Sequence, residues 1–92
     1  MPGNKPYQAE YLTSVTKEDI PSLPKNIKKT IKKAIEERLM IDPIGFGKPL
    51  RYSLKGHRRL RVGDYRVVYR IDTEKQLVII VAIKHRKDVY ED

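Results

Sequence analysis

Two β-rich runs, 58–62 and 65–71, are separated by Gly63-Asp64 alone, which leaves the chain little choice there. A two-residue connection between antiparallel strands is a tight hairpin turn, and glycine at its first central position suits the type II′ form. The register follows, because a slip of one residue would turn every side chain to the other face. Val62 is set opposite Tyr65, Arg61 opposite Arg66, Leu60 opposite Val67, and Arg59 opposite Val68. One face then collects Leu60, Val62, Tyr65, Val67 and Tyr69 and reads as core. The other collects Arg59, Arg61, Arg66 and Arg70 around Val68.

Like charges directly across a strand pair destabilise it by up to about 1 kcal/mol, so folding alone does not favour Arg61 facing Arg66. Two guanidinium forks gripping one phosphate would turn that repulsion into attraction. The competing reading is a solvated basic face, with long side chains splayed into water. Composition extends the point: 20 Lys and Arg against 12 Asp and Glu give +8 over 92 residues. That excess suits polyanionic partners, whether nucleic acid, an anionic membrane surface or an acidic protein. It sits in the middle of the chain, where Asp64 is the only acid between Lys48 and Arg70.

The remaining elements build one α+β domain spanning 1–92. Tyr7, Ala9, Tyr11, Thr13 and Val15 alternate, predicting a first strand over 7–15. A short helical turn is expected over 16–20, with Thr16 as N-cap and Asp19 three residues on, ended by Pro21. From Pro24, apolar positions at Ile27, Ile31, Ala34, Ile35 and Leu39 form the stripe of an amphipathic helix. Asp42-Pro43 stops it, since the residue before proline is pushed out of the α region. Residues 44–48 read as a loop, and 77–83 as a strand apolar on both faces and therefore inside the sheet. The expected order is β-α-α-β-β-β: an antiparallel-rich, four-stranded sheet with two N-terminal helices on one face. Ile27, Ile31, Ile35 and Leu39 are assigned to the core. Tyr7, Tyr11, Ile20, Leu23 and Phe46 read first as core and second as apolar contacts for a partner.

Several chemistries drop out. With no cysteine there is no disulfide, thiolate zinc site or thiol nucleophile. Two histidines make a metal site improbable, and no Ser-His-Asp order or glycine-rich phosphate loop is present. The longest apolar run, 77–83, is far short of the ~20 residues a membrane span needs. The first residues lack a secretory pattern, so a soluble, cytoplasmic protein is expected. Among titratable groups, His85 beside Lys84 and Arg86 is suited to moving a proton near neutrality. A histidine just past a strand also reads simply as a surface residue.

Leu54-Lys-Gly56, Leu60-Arg-Val-Gly-Asp-Tyr-Arg-Val-Val-Tyr69 and His85-Arg-Lys-Asp-Val-Tyr90 together resemble the RelE/ParE superfamily of toxin–antitoxin toxins. Leu23-Pro24 ahead of a basic helix, Asp42-Pro43 and Gly47-Lys-Pro-Leu50 fit the same pattern, in order along nearly the whole chain. The resemblance implies the compact RelE-like fold and a ribosome-dependent mRNA interferase. In that chemistry a ribose 2′-hydroxyl attacks the adjacent phosphodiester in the ribosomal A site, leaving a 2′,3′-cyclic phosphate. No metal or other cofactor is implied.

By position, the resemblance makes Arg66 the phosphate-binding arginine and sets Arg59 and Arg61 where RelE-type toxins carry two lysines. Tyr90 matches the tyrosine that positions substrate, and Lys84, His85 and Arg86 lie near the general-acid arginine. Expected catalytic residues are thus Arg61, Arg66, His85 and Tyr90, and expected phosphate contacts are Arg59, Arg61, Arg66, Lys84 and Arg86. Two departures stand out. Arginine at 61 holds its proton too firmly to act as a general base, and the hairpin is shorter than in the best-known RelE-type toxin. Proton transfer is therefore expected at His85, with arginines 59, 61 and 66 stabilising charge. The resemblance also implies an acidic, RelB-like antitoxin with a segment that folds on binding. Competing readings are a ParE-like inhibitor of DNA gyrase, a non-catalytic RNA- or ribosome-binding module, and a folded but inactive toxin.

Overall fold

The computed structural model describes residues 6–51 and 55–89. A five-stranded sheet, in the order β1-β5-β4-β3-β2, carries its helices on one face. The strands are β1 (Gln8–Tyr11), β2 (Lys48–Pro49), β3 (Arg58–Val62), β4 (Tyr65–Asp72) and β5 (Leu77–His85). The helices are α1, centred on Val15–Asp19; α2, which runs over 25–39; and α3 (Pro43–Phe46). A 3-10 turn, Arg86–Asp88, follows β5.

The hairpin forms as its turn dictates. Val62 faces Tyr65, Arg61 faces Arg66, Leu60 faces Val67, and Arg59 faces Val68. Gly63 sits at φ +60°, a conformation that costs glycine little and other residues much. Leu60, Val67 and Tyr69 are buried against Val78, Ile80 and Ile83 of β5 and against Val15, Leu23, Ile31, Ala34, Ile35 and Leu39 from the helical side. Ile31, Ile35 and Leu39 thus fill their expected places, while Ile27 is half-buried at the margin.

The differences from expectation have local causes. The first strand stops at Tyr11, because Leu12 onward turns into α1; Thr13 and Val15 are helical, and Val15 is buried from there. Thr16 does not cap that helix: its hydroxyl bonds back to the Thr13 carbonyl. Asp42-Pro43 not only ends α2 but starts α3, where loop had been expected. The Asp42 carboxylate accepts from the Gly45 N–H at 3.0 Å, and Pro43 takes the first helical position. The fifth strand is the two-residue β2, paired with β3 at Lys48–Arg59 and Pro49–Arg58. β1 runs parallel to β5 and the other pairings are antiparallel.

Two side chains fasten α3 to the hairpin. The Arg58 guanidinium donates to the carbonyls of Ile44 and Gly47 at 2.7 and 2.9 Å, supplying donors that the end of a helix otherwise lacks. The Tyr69 hydroxyl donates to the Pro43 carbonyl at 2.6 Å, and burial pushes that phenol above its ordinary range. Gly47 passes so close to Tyr69 that a β-carbon there would collide with the ring hydroxyl. Phe46, expected in the core, is instead 49% exposed, and Ile41 and Ile44 are exposed as well.

Candidate functional site

Strand pairing decides which side chains can meet, because residues opposite one another share a face. Arg59, Arg61 and Arg66 all lie on the face away from the helices, with Lys48 opposite Arg59 at one end. Along β5, Lys84 stands opposite Arg66 and joins the same face. His85 stands opposite Tyr65, whose ring packs against the core, so the imidazole belongs to the helical side. That separates His85 from the arginine row, contrary to expectation. Its ring meets Tyr65 edge-on at 5.3 Å, and its Nδ1 accepts from the Lys87 N–H at 3.2 Å. With Nδ1 as an acceptor, the neutral ring carries its proton on Nε2.

Arg66 is the surprise of the row. It is only 8% exposed, and one guanidinium nitrogen donates to the carbonyls of Gly63 and Tyr65, each at 3.0 Å. The side chain is therefore folded along the hairpin turn rather than splayed into solvent, and the fork's position is set by the turn. Arg61, directly opposite, is exposed, and Arg59 is half-buried. A solvated basic face describes Arg61 and Arg70 but not Arg66.

The cations past β5 are tied to carboxylates. The Lys84 ammonium lies 2.7 Å from Asp19 of α1. The same carboxylate accepts the Ile83 N–H at 2.9 Å with its other oxygen. Asp19 is buried, and its hydrogen bond is the main reason the Lys84 pKa rises above its usual 10.5. Arg86 sits 3.7 Å from Asp64 in an exposed pair, while its N–H donates to the Asp64 carbonyl at 2.7 Å. Such surface pairs are worth little, so Arg86 can leave for another anion. Tyr90 lies outside the described residues. A cavity of about 380 Å³ adjoins Asp19 and Lys84, lined also by Glu18, Ser22, Tyr65, His85 and Asp88.

Among the described residues no group of three or more His, Cys, Asp or Glu is arranged to hold a metal ion. No helix among them is long and apolar enough to cross a membrane. Asp19 is the site residue that sequence reasoning missed. Its spacing from Thr16 suggested a cap, and nothing in the sequence reports that it would reach a strand 64 residues away.

Comparison with known proteins now bears on this geometry. A family model described as ParE toxin of type II toxin–antitoxin system, parDE, matches residues 11–90. The chain belongs to the RelE/ParE superfamily of type II toxin–antitoxin toxins. Toxin RelG of Mycobacterium tuberculosis is 36% identical over 85 residues, 92% of this chain and 97% of that protein. Toxin RelE of the same organism is 36% identical over 90 residues, 98% of this chain and 92% of that protein. The structure resembles a chain of the toxin–antitoxin complex RelBE2 from M. tuberculosis, with TM-score 0.83 at 36% identity, covering 90% of this chain and 94% of that one. The isolated RelE toxin of E. coli shares the fold at TM-score 0.70 and 20% identity, covering 86% of this chain and 83% of that one. The RelE-like α+β fold is thus established, with five strands and three helices among the described residues in place of the expected four and two.

Proposed function

We propose that this toxin inhibits translation by cutting mRNA on the ribosome, through attack of a ribose 2′-hydroxyl on the neighbouring phosphodiester. The observation that carries this reading is the pairing of Arg61 with Arg66 across a tight hairpin, with Arg59 and Lys84 on the same face. Cleavage of this kind develops negative charge on the phosphorane and on the departing 5′-oxygen. Cations already in position stabilise both without reorganising. Arg66, braced by the turn, grips the phosphate, and Arg61 meets it from the adjacent strand. Arg59 and Arg86 hold flanking phosphates.

Lys84 replaces His85 as the proton donor to the 5′-oxygen. It shares a face with Arg66, whereas His85 does not, and as an ammonium it carries a proton to give at neutral pH. Arg61 acts electrostatically at the attacking oxygen, since its guanidinium keeps its proton. Tyr90 retains the substrate-positioning role that the family resemblance gives it. The toxin is held in check by an acidic, RelB-like antitoxin, a reading supported by the antitoxin complexes in which its relatives occur.

The test is a cell-free translation reaction with purified protein, read by primer extension on the message. Ribosome-dependent cuts within codons are expected from the wild type and not from Arg66→Ala. Intact message and normal translation would sink the proposal. Because the matching family model describes a ParE toxin, gyrase inhibition is the second reading. A DNA supercoiling assay separates them, and inhibition there with no mRNA cleavage would establish it.

A further inference from the structure

We propose that Asp19 is a positioning residue for the proposed cleavage, fixing the ammonium of Lys84, the β5 residue that pairs with Arg66, at the edge of that strand; this rests on the nuclease reading above. Three observations converge. Asp19 is buried, yet both its carboxylate oxygens are used: one takes the Ile83 N–H at 2.9 Å, the other the Lys84 ammonium at 2.7 Å. The two partners are consecutive residues of β5, so one carboxylate grips the strand backbone and the side chain of the next residue. The strand pairing then sets that residue directly opposite Arg66.

The arrangement answers a problem the site would otherwise have. Lys84 and Arg66 are like charges directly across a strand pair, which should repel. A free lysine has a long, mobile stem and would swing away into water. A carboxylate fixed to the strand edge instead keeps the ammonium within reach of the sheet's end. Every neighbouring carboxylate acts in the same direction. Asp19 and Glu18 from α1 and Asp88 from the turn after β5 all favour the charged form, against desolvation. When the 5′-oxygen departs, the Nζ–H bond breaks, its proton goes to that oxygen, and neutral Lys84 is reprotonated from solvent.

A backbone cap with an incidental ion pair would make different predictions, and Asp19→Asn separates the two. Asparagine still offers an oxygen to the Ile83 N–H but no charge to Lys84. With wild-type toxin cutting programmed ribosomes, Asp19→Asn is expected to lower the rate at saturating toxin about tenfold or more, since general acids contribute at least about a hundredfold. The half-saturating toxin concentration should move by less than about twofold, because ribosome docking is untouched. In a Lys84→Met background, Asp19→Asn should lower the rate no further, as two residues acting as one unit are not additive. Equal losses in both backgrounds, or no loss in the wild-type background, would overturn the role. A measurement free of any Asp19 variant guards against misfolding. The Lys84 15Nζ resonance of the wild type should be visible at neutral pH, as for an ammonium slowed in exchange by a carboxylate; its absence would also overturn the role. If wild-type toxin makes no ribosome-dependent cuts, the nuclease reading itself fails and takes this role with it. Cuts with an unchanged Asp19→Asn rate remove the role alone.

Discussion

His85 and Lys84 are neighbours in the chain and line one cavity, yet they leave β5 toward opposite faces of the sheet. One packs edge-on to Tyr65 under the sheet, and the other stands opposite Arg66 above it. His85→Ala is therefore expected to keep at least about half of any ribosome-dependent cleavage, because it removes no group from the arginine face. Its loss should register as stability, through the Tyr65 contact and the Lys87 N–H it accepts. Primer extension and thermal melting on one preparation check both halves, and a dead but fully stable variant would refute the assignment. The ion pair beneath Lys84 makes a stability prediction with a definite sign. The folded pKa of Lys84 lies above the unfolded value near 10.5, so its contribution is complete below that pH and is lost as pH rises through the folded value. Lys84→Met should destabilise the fold by about 1–2 kcal/mol at neutral pH, a discounted figure for a half-exposed partner of a buried carboxylate. In urea titrations the difference from wild type should shrink on the alkaline side, and a difference growing with pH would contradict the pair.

At the scale of elements, α3 is too short to persist by its own hydrogen bonds, as isolated helices of one turn are unstable. It exists because Asp42 caps it, Arg58 takes its last carbonyls and Tyr69 takes the Pro43 carbonyl. Tyr69→Phe leaves that carbonyl unmet and should cost about 1–2 kcal/mol. Gly47→Ala drives a methyl into the Tyr69 hydroxyl and should cost about 2–3 kcal/mol. Since the clash is chiefly with that hydroxyl, the double variant should be less destabilised than the sum of the two, by more than about 0.5 kcal/mol. Strict additivity in a denaturant-based double-mutant cycle would rule out the contact. The same elements show where sequence reading succeeds. The 63–64 turn forces its register, and the stripe from Ile27 to Leu39 forces its helix, so both were legible. α3 and β2 were not, because their reasons for forming lie on β3 and β4, distant in sequence. The face of His85 was hidden for another reason. Residues 77–83 are apolar on both sides, so alternation gives no phase, and a bulge near Val81 shifts the pairing between Val68–Ala82 and Tyr69–Ile80. Only the formed ladder tells which of Lys84 and His85 faces the arginines.

For the molecule as a whole, the proposed cleavage raises the question of which basic surface would meet the ribosome. The charge of +8 is divided between the arginine face and the outer side of α2, where Lys25, Lys29, Lys32 and Lys33 are exposed. The sheet lies between them, so both cannot lie flat against one RNA surface. Repulsion offers a criterion. The α2 lysines include i,i+4 partners of opposite sign, such as Lys33 with Glu37, and sit as an ordinary solvated helix face. Across the hairpin, Arg61 faces Arg66 and Lys84 faces Arg66 from the other side, a cluster that folding alone does not favour. A bound anion would offset that repulsion. Reversing Arg59 and Arg61 to glutamate should therefore lower ribosome affinity at least about tenfold and flatten its dependence on salt, since fewer counterions are released per complex. Reversing Lys28 and Lys32 should lower it by less than about threefold and leave the salt slope nearly unchanged. Sedimentation of the Arg66→Ala toxin, expected to leave message uncut, with ribosomes across a salt series measures both slopes. If the lysine pair carries the steeper loss, the helix side is the docking surface. The arginine row would then be turned away from the ribosome, and a cut in the A site could not be its work.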